Sequence, residues 1–120
     1  MILERVTIAV THLDAMVRFY NEVFDAELVA IRTFGTHRFF SGKLAGVDLL
    51  LCPNEIAGVA AQQNRQQFRI AVDNLDATLA KALEAGGLQK GDLQRENSSR
   101  VVGVTDPDGN TLELIQHFQN

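Results

Sequence analysis

Residues 106–114 read Asp106-Pro107-Asp108-Gly109-Asn110-Thr111-Leu112-Glu113-Leu114, and this stretch decides the fold. Its first half is a tight turn: proline presets φ, the Asx side chains bond their own backbone, and Gly109 supplies φ > 0. Its second half opens a strand over 111–118. Strand side chains alternate, so Leu112 and Leu114 share one face while Glu113, Ile115 and His117 share the other. A carboxylate is thus projected from a half-buried strand directly after a rigid turn. Glu113 is either a solvated residue on an outer sheet face or a group aimed into a pocket.

Working outward, the same alternation appears twice more. Over 4–10, Val6, Ile8 and Val10 face one way and Arg5, Thr7 and Ala9 the other. Over 67–72, Phe68, Ile70 and Val72 oppose Gln67, Arg69 and Ala71. Each of these strands runs into a helical pattern. Leu13, Met16, Val17, Tyr20, Val23 and Phe24 form one apolar stripe, with Asp14 in the first turn. Leu75, Leu79, Ala82 and Leu83 form the second, after the N-cap types Asp73 and Asn74 and before Gly86 and Gly87. Strands are further expected over 27–33, 37–41, 47–52, 88–95 and 100–105. Residues 53–66 read as a polar connection.

The order strand, helix, three strands occurs twice. Ile8-Ala9-Val10-Thr11-His12-Leu13-Asp14-Ala15 aligns without a gap on Ile70-Ala71-Val72-Asp73-Asn74-Leu75-Asp76-Ala77, an offset of 62 residues. Near the end of each half, Gly46 meets Gly109 at an offset of 63, which places Leu49 on Leu112 and Leu51 on Leu114. A half this small cannot bury its own sheet face, so two packed modules are expected. They span about 1–55 and about 66–120, with a linker at about 56–65, in one α+β domain.

The totals limit the function. The chain has 120 residues, 46% of them hydrophobic, enough for a core. Fifteen acidic against eleven basic residues give a net charge of −4, and the pI is near 5.2. Nucleic-acid binding, which needs a basic face, is not expected. No apolar run has membrane-spanning length and no secretory leader pattern opens the sequence. The lone cysteine, Cys52, suits a reducing cytoplasm and the role of a small apolar residue. No nucleophile motif, glycine-rich phosphate loop or CxxC pair is present, and His12, His37 and His117 lack helical ligand spacing.

Val10 and Leu13 leading to Phe19-Tyr20, then Val23-Phe24, Val72-Asp73-Asn74-Leu75, and Asp106-Pro107-Asp108-Gly109-Asn110 with Leu112-Glu113-Leu114 resemble the vicinal oxygen chelate superfamily. This is the glyoxalase, bleomycin-resistance and extradiol dioxygenase group. The resemblance implies two βαβββ modules whose strands curve around a cavity, with helices on the convex side. It places Arg5, Thr7, Leu50, Cys52, Gln67, Arg69, Glu113, Ile115 and His117 on the cavity face. Metal-dependent members hold a divalent ion with one residue from each of four strands, and carry-over puts those positions at Arg5, Leu50, Gln67 and Glu113. The offsets of 62 and 63 support that register; a slip of two would substitute Asp48 for Leu50. Glu113 alone is a strong ligand, Gln67 is a weak one, Leu50 has no donor, and Arg5 carries a fixed positive charge. No metal or other cofactor is therefore expected.

The resulting expectation is a glyoxalase- or bleomycin-resistance-like homodimer that binds a small organic molecule in a metal-free cavity. Arg5, Thr7, Leu50, Cys52, Gln67, Arg69, Glu113 and His117 are its contacts, and Glu113 is the candidate catalytic residue. An Arg5–Glu113 pair is one substitute for the metal; separate solvation of both is the other. The alternative is a metal-dependent lyase, isomerase or dioxygenase of the same superfamily. A third reading is an interaction module with no ligand.

Overall fold

The two halves of the repeat fold as matching units. The computed structural model describes residues 1–61 and 64–118, with the backbone alone for Arg32 and Phe34. Gln62 and Gln63 of the expected linker, and Gln119 and Asn120, lie outside the described residues. The chain divides into the units Met1–Ala60 and Ala61–Asn120. The first contains β1 (Arg5–Val10), α1 (Leu13–Phe24), β2 (Val29–Phe34), β3 (His37–Leu44), β4 (Val47–Pro53) and α2 (Asn54–Ala57). The second contains β5 (Phe68–Ala71), α3 (Leu75–Glu84), β6 (Leu88–Glu96), β7 (Ser99–Thr105) and β8 (Thr111–His117). Each unit has one four-stranded mixed sheet, ordered β1-β4-β3-β2 and β5-β8-β7-β6, so the class is α+β and neither sheet closes into a barrel.

The register reproduces the repeat. β1 runs parallel to β4 with Val6 opposite Leu49 and Thr7 opposite Leu50. β5 runs parallel to β8 with Phe68 opposite Leu112 and Arg69 opposite Glu113. These are the same pairs displaced by 62 and 63 residues. An ion pair is duplicated too. Arg38 on β3 reaches Asp14 in the first turn of α1 at 2.7 Å, and Arg100 on β7 reaches Asp76 in the first turn of α3 at 3.0 Å. The Arg100 guanidinium holds the Asp76 carboxyl below the ordinary aspartate range.

In the first unit, α1 buries Met16, Tyr20 and Val23 of the expected stripe together with Phe19, while Leu13, Val17 and Phe24 are half-buried. Leu49 and Leu51 on β4 are fully buried, but Leu50 and Cys52 on the opposite face are buried as well. They cluster with Phe39, so β4 is closed on both faces. The second unit buries Leu75 and Ala82 from α3 together with Val102, Val104, Leu112 and Leu114 from the sheet. Asn74 caps α3 by accepting from Ala77 N at 3.1 Å. Burial of these apolar side chains is the dominant favourable term in both units.

Several boundaries differ from the sequence reading, and β3, expected over 37–41, continues to Leu44. The strand expected from Glu27 begins at Val29, because Asp25 and Glu27 adopt φ of 51° and 53° and Asn21 clamps Leu28. In that clamp Leu28 N donates to Asn21 Oδ1 at 2.7 Å, which uses the backbone group a strand would need. Residues 54–57 of the polar connection form the short helix α2, closed by Gly58 at φ 68° and by Asn54 bonded to Val59 N at 2.9 Å. β6 continues to Glu96 and is exposed along its whole length. It is a strand because β7 pairs with it, not because it has an apolar face.

Candidate functional site

The opening turn anchors one end of the site. Asp106 is 2% exposed, and its Oδ1 accepts from Asp108 N at 3.0 Å and Asn110 N at 2.9 Å. Oδ2 accepts from the Asn110 side chain at 2.9 Å. A buried carboxylate is thereby satisfied by the turn it closes. Gly109, at φ 89°, supplies the left-handed residue that the turn requires. β8 leaves this turn with its register fixed, which sets where Glu113 points.

Glu113 lies on the sheet face opposite the buried Leu112 and Leu114. Its neighbour on β5 is Arg69 and its neighbour on β7 is Gly103; beyond Gly103 comes Lys90 on β6. The arginine binds two carboxylates. Arg69 Nε donates to Glu113 Oε1 at 2.9 Å, and Nη1 donates to Glu96 Oε1 at 2.8 Å. The side chains of Arg69, Glu113 and Glu96 are 42%, 32% and 51% exposed, so the group is hydrated rather than sealed. Hydrogen bonds to Glu96 first and Glu113 second push the Arg69 pKa up, and Arg69 holds the Glu96 carboxyl below the usual glutamate range.

Gly103 lets β6 pack close, since a Cβ there would come to 3.0 Å from the Lys90 carbonyl oxygen, and Glu113 and Lys90 stand on either side of it. A cavity of about 320 Å³ lies there, bounded by Gln67, Lys90, Asp92, Gln94, Gly103 and Glu113 among others. A second concavity, of about 410 Å³, adjoins it and shares Gln67, Lys90 and Thr111. Its other walls are Asn64, Arg65, Gln66 and Gly109. Gln67 Nε2 donates to Thr111 Oγ1 at 2.9 Å, and Thr111 N donates to Asn64 Oδ1 at 3.2 Å. At the far end of β8, His117 Nδ1 and the buried Ser99 hydroxyl share a hydrogen bond of 2.7 Å.

Four of the eight candidate contacts thus belong to one face of the second unit: Gln67, Arg69 and Glu113 together, and His117 further along β8, with Ile115 buried between the last two. Arg5, Thr7, Leu50 and Cys52 belong to the first unit. There Arg5 and Thr7 are exposed, while Leu50 and Cys52 are buried with Phe39. Asp48 pairs with Lys43 at 2.8 Å. The partner of Glu113 is Arg69, and Arg5 takes part in no ion pair among the described residues. Sequence reasoning missed Lys90, Asp92, Gln94, Glu96 and Gly103, which reach the site through β6 and β7. The repeat equates Thr7 with Arg69 and Leu50 with Glu113, but that these positions stand opposite one another is a register the structure supplies.

The four positions that hold a divalent ion in metal-dependent members of this fold do not suit one here. Glu113 is committed to a guanidinium, Gln67 donates its amide to Thr111, Leu50 sits in an apolar cluster and Arg5 is cationic. Among the described residues, no group of three or more His, Cys, Asp or Glu is placed to hold a metal ion. A hard cation needs several oxygen or nitrogen ligands, and an adjacent arginine repels it.

The sequence model of the Glyoxalase/Bleomycin resistance protein/Dioxygenase superfamily matches residues 2–114. The chain belongs to that superfamily. Among curated proteins no sequence matches it significantly. A glyoxalase/bleomycin resistance protein/dioxygenase family enzyme from Burkholderia phytofirmans PsJN is similar in structure, with TM-score 0.79 and 17% identity, over 98% of this chain and 100% of that one. The FosX fosfomycin resistance protein of Listeria monocytogenes gives TM-score 0.76 and 16% identity, over 98% and 96%. A glyoxalase-related enzyme from Fulvimarina pelagi gives 0.74 and 19%, over 98% and 88%. Identities this low speak for the fold.

Proposed function

We propose that this protein binds a small polar organic molecule in the cavity above Gly103, without a metal ion. The observation that carries the reading is the Arg69 guanidinium, held by Glu113 and Glu96 where metal-dependent relatives would need a free carboxylate. Gln67, Arg69 and Glu113 are the contacts offered by the second unit. His117, further along β8, completes the proposed set. Modest apolar walls with a few converging polar groups are the usual form of a small-molecule site. Several solved relatives are named as resistance proteins, two of them for fosfomycin, and a compound of that size is a suitable kind of ligand. Should a reaction occur, Glu113 is the group placed to take part in proton transfer. The protein is further proposed to be a cytoplasmic homodimer that engages neither nucleic acid nor membrane; among the described residues no helix is long and apolar enough to cross one.

Elemental analysis of the purified protein tests the metal-free reading. The expected result is no stoichiometric zinc, nickel, manganese or iron. Stoichiometric metal that Glu113→Ala removes would establish the lyase, isomerase or dioxygenase reading in its place.

A further inference from the structure

The two adjoining concavities differ in charge, and the difference selects one end of the ligand. Two carboxylates, Asp92 and Glu113, line the cavity over Gly103. None lines its neighbour, where Arg65 and Lys90 stand with the amides of Asn64, Gln66 and Gln67 and the Thr111 hydroxyl. Arg69 is the cation nearest Glu113, but three of its five N–H donors are turned to two glutamates and the trio carries a net negative charge. A ligand anion approaching Arg69 would meet that negative charge. Arg65 and Lys90 take part in no ion pair among the described residues, so their charge is available. Lys90 belongs to the wall that both concavities share, with Gln67 and Thr111.

We infer that the ligand is a small oxyanion-bearing compound whose carboxylate, phosphate or phosphonate is held by Lys90 and Arg65 beside Thr111. The remainder of the molecule extends over Gly103 toward Glu113 and Asp92, and a hydroxyl or amine there meets two carboxyl groups. The inference rests on the proposed small-molecule site and assigns its polarity. Two cations suit an oxyanion, because hydrogen bonds to an ionised acceptor are shorter and stronger than neutral ones. The Asn64 amide already donates to Gln66 O and Thr111 O, and the Gln67 amide to Thr111 Oγ1, so the cations carry the contact. Both cations are hydrated, so the contact weakens with salt.

Titration of the full chain with inorganic phosphate, and separately with acetate, followed by amide NMR at constant ionic strength, tests the assignment and distinguishes the two anion sources. The expected result is saturable shifts at Gln67, Lys90 and Thr111 with at least one anion. Affinity should fall by about tenfold, one charge-assisted contact, in Lys90→Gln or Arg65→Gln, and stay within about twofold in Lys81→Gln, an exposed position on α3 that lines neither concavity. Both test positions are exposed, so these variants keep the fold. A screen of neutral polar compounds on the wild type runs beside it. Binding of a neutral compound over Gly103 with no response to either anion, or anion binding lost in Arg69→Gln alone, overturns the inference and leaves the small-molecule site standing. No binding of anion or neutral compound overturns both.

Discussion

Asp106 shows how much one residue does here. Its buried carboxylate accepts three hydrogen bonds from the turn that launches β8. Asp106→Ala removes them and leaves two backbone N–H groups without a partner, so we expect a loss of roughly 2–3 kcal/mol in urea unfolding. An unchanged midpoint would show that the turn is held by Pro107 and Gly109 alone. The Arg69–Glu96 pair acts more weakly, because both ends are hydrated. Its sign is nonetheless fixed. Glu96 is held below its ordinary value of 4.5 in the folded chain, so its contribution is complete above 4.5 and is lost as pH falls through the lowered value. Glu96→Gln should therefore lower Tm slightly at neutrality and flatten the acid side of the Tm-against-pH curve, the two proteins converging as pH falls below about 4.5. A curve identical to wild type would show the pair to be absent in solution.

At the scale of elements, what the sequence revealed depended on whether the signal was local. The turn at 106–110, the stripe of α1 and the offsets of 62 and 63 were legible because each is a pattern of neighbouring residues. β6 was legible only as a polar segment, since all its residues are exposed and its place comes from pairing with β7. That pairing shifts register between Lys90 and Gln94, so alternation could not bring Glu96 to Arg69. The start of β2 was misplaced for a related reason. Ala26 and Leu28 belong to a connection that presses on β3 at Gly42. A Cβ there would overlap the Ala26 carbonyl and come within 3.0 Å of Leu28 N, and the same carbonyl accepts from Lys43 N at 2.8 Å. Gly42→Ala is expected to destabilise by about 1–3 kcal/mol, as overpacking does, while leaving any ligand affinity intact. Wild-type stability in that variant would mean that the connection yields freely.

For the whole molecule, the open question raised by the fold is what covers its sheet edges. Hydrogen-bonded strand order leaves β1 and β2 as edges in the first sheet and β5 and β6 in the second. Edge strands invite pairing with another chain unless charges or irregularities blunt them. β6 is blunted: Lys90, Asp92, Arg95 and Glu96 lie along it and its register breaks midway. β2 is different. Val29 is 61% exposed and Ile31 is 50% exposed, with the exposed Ala30 between them. The register of β2 also shifts, between Ala30 and Arg32, but its exposed apolar side chains point to a protein surface as their partner. A second copy of this chain meets the requirement without a further component. We therefore expect light scattering to give the mass of two chains at micromolar concentration, and Ile31→Lys to shift the protein toward one. A stable dimer buries on the order of 1,200–2,000 Å², more than two side chains supply, so the variant should weaken association rather than abolish it. Wild-type protein with the mass of one chain at every concentration would rule the dimer out. A dimer indifferent to Ile31→Lys would move the interface to another edge.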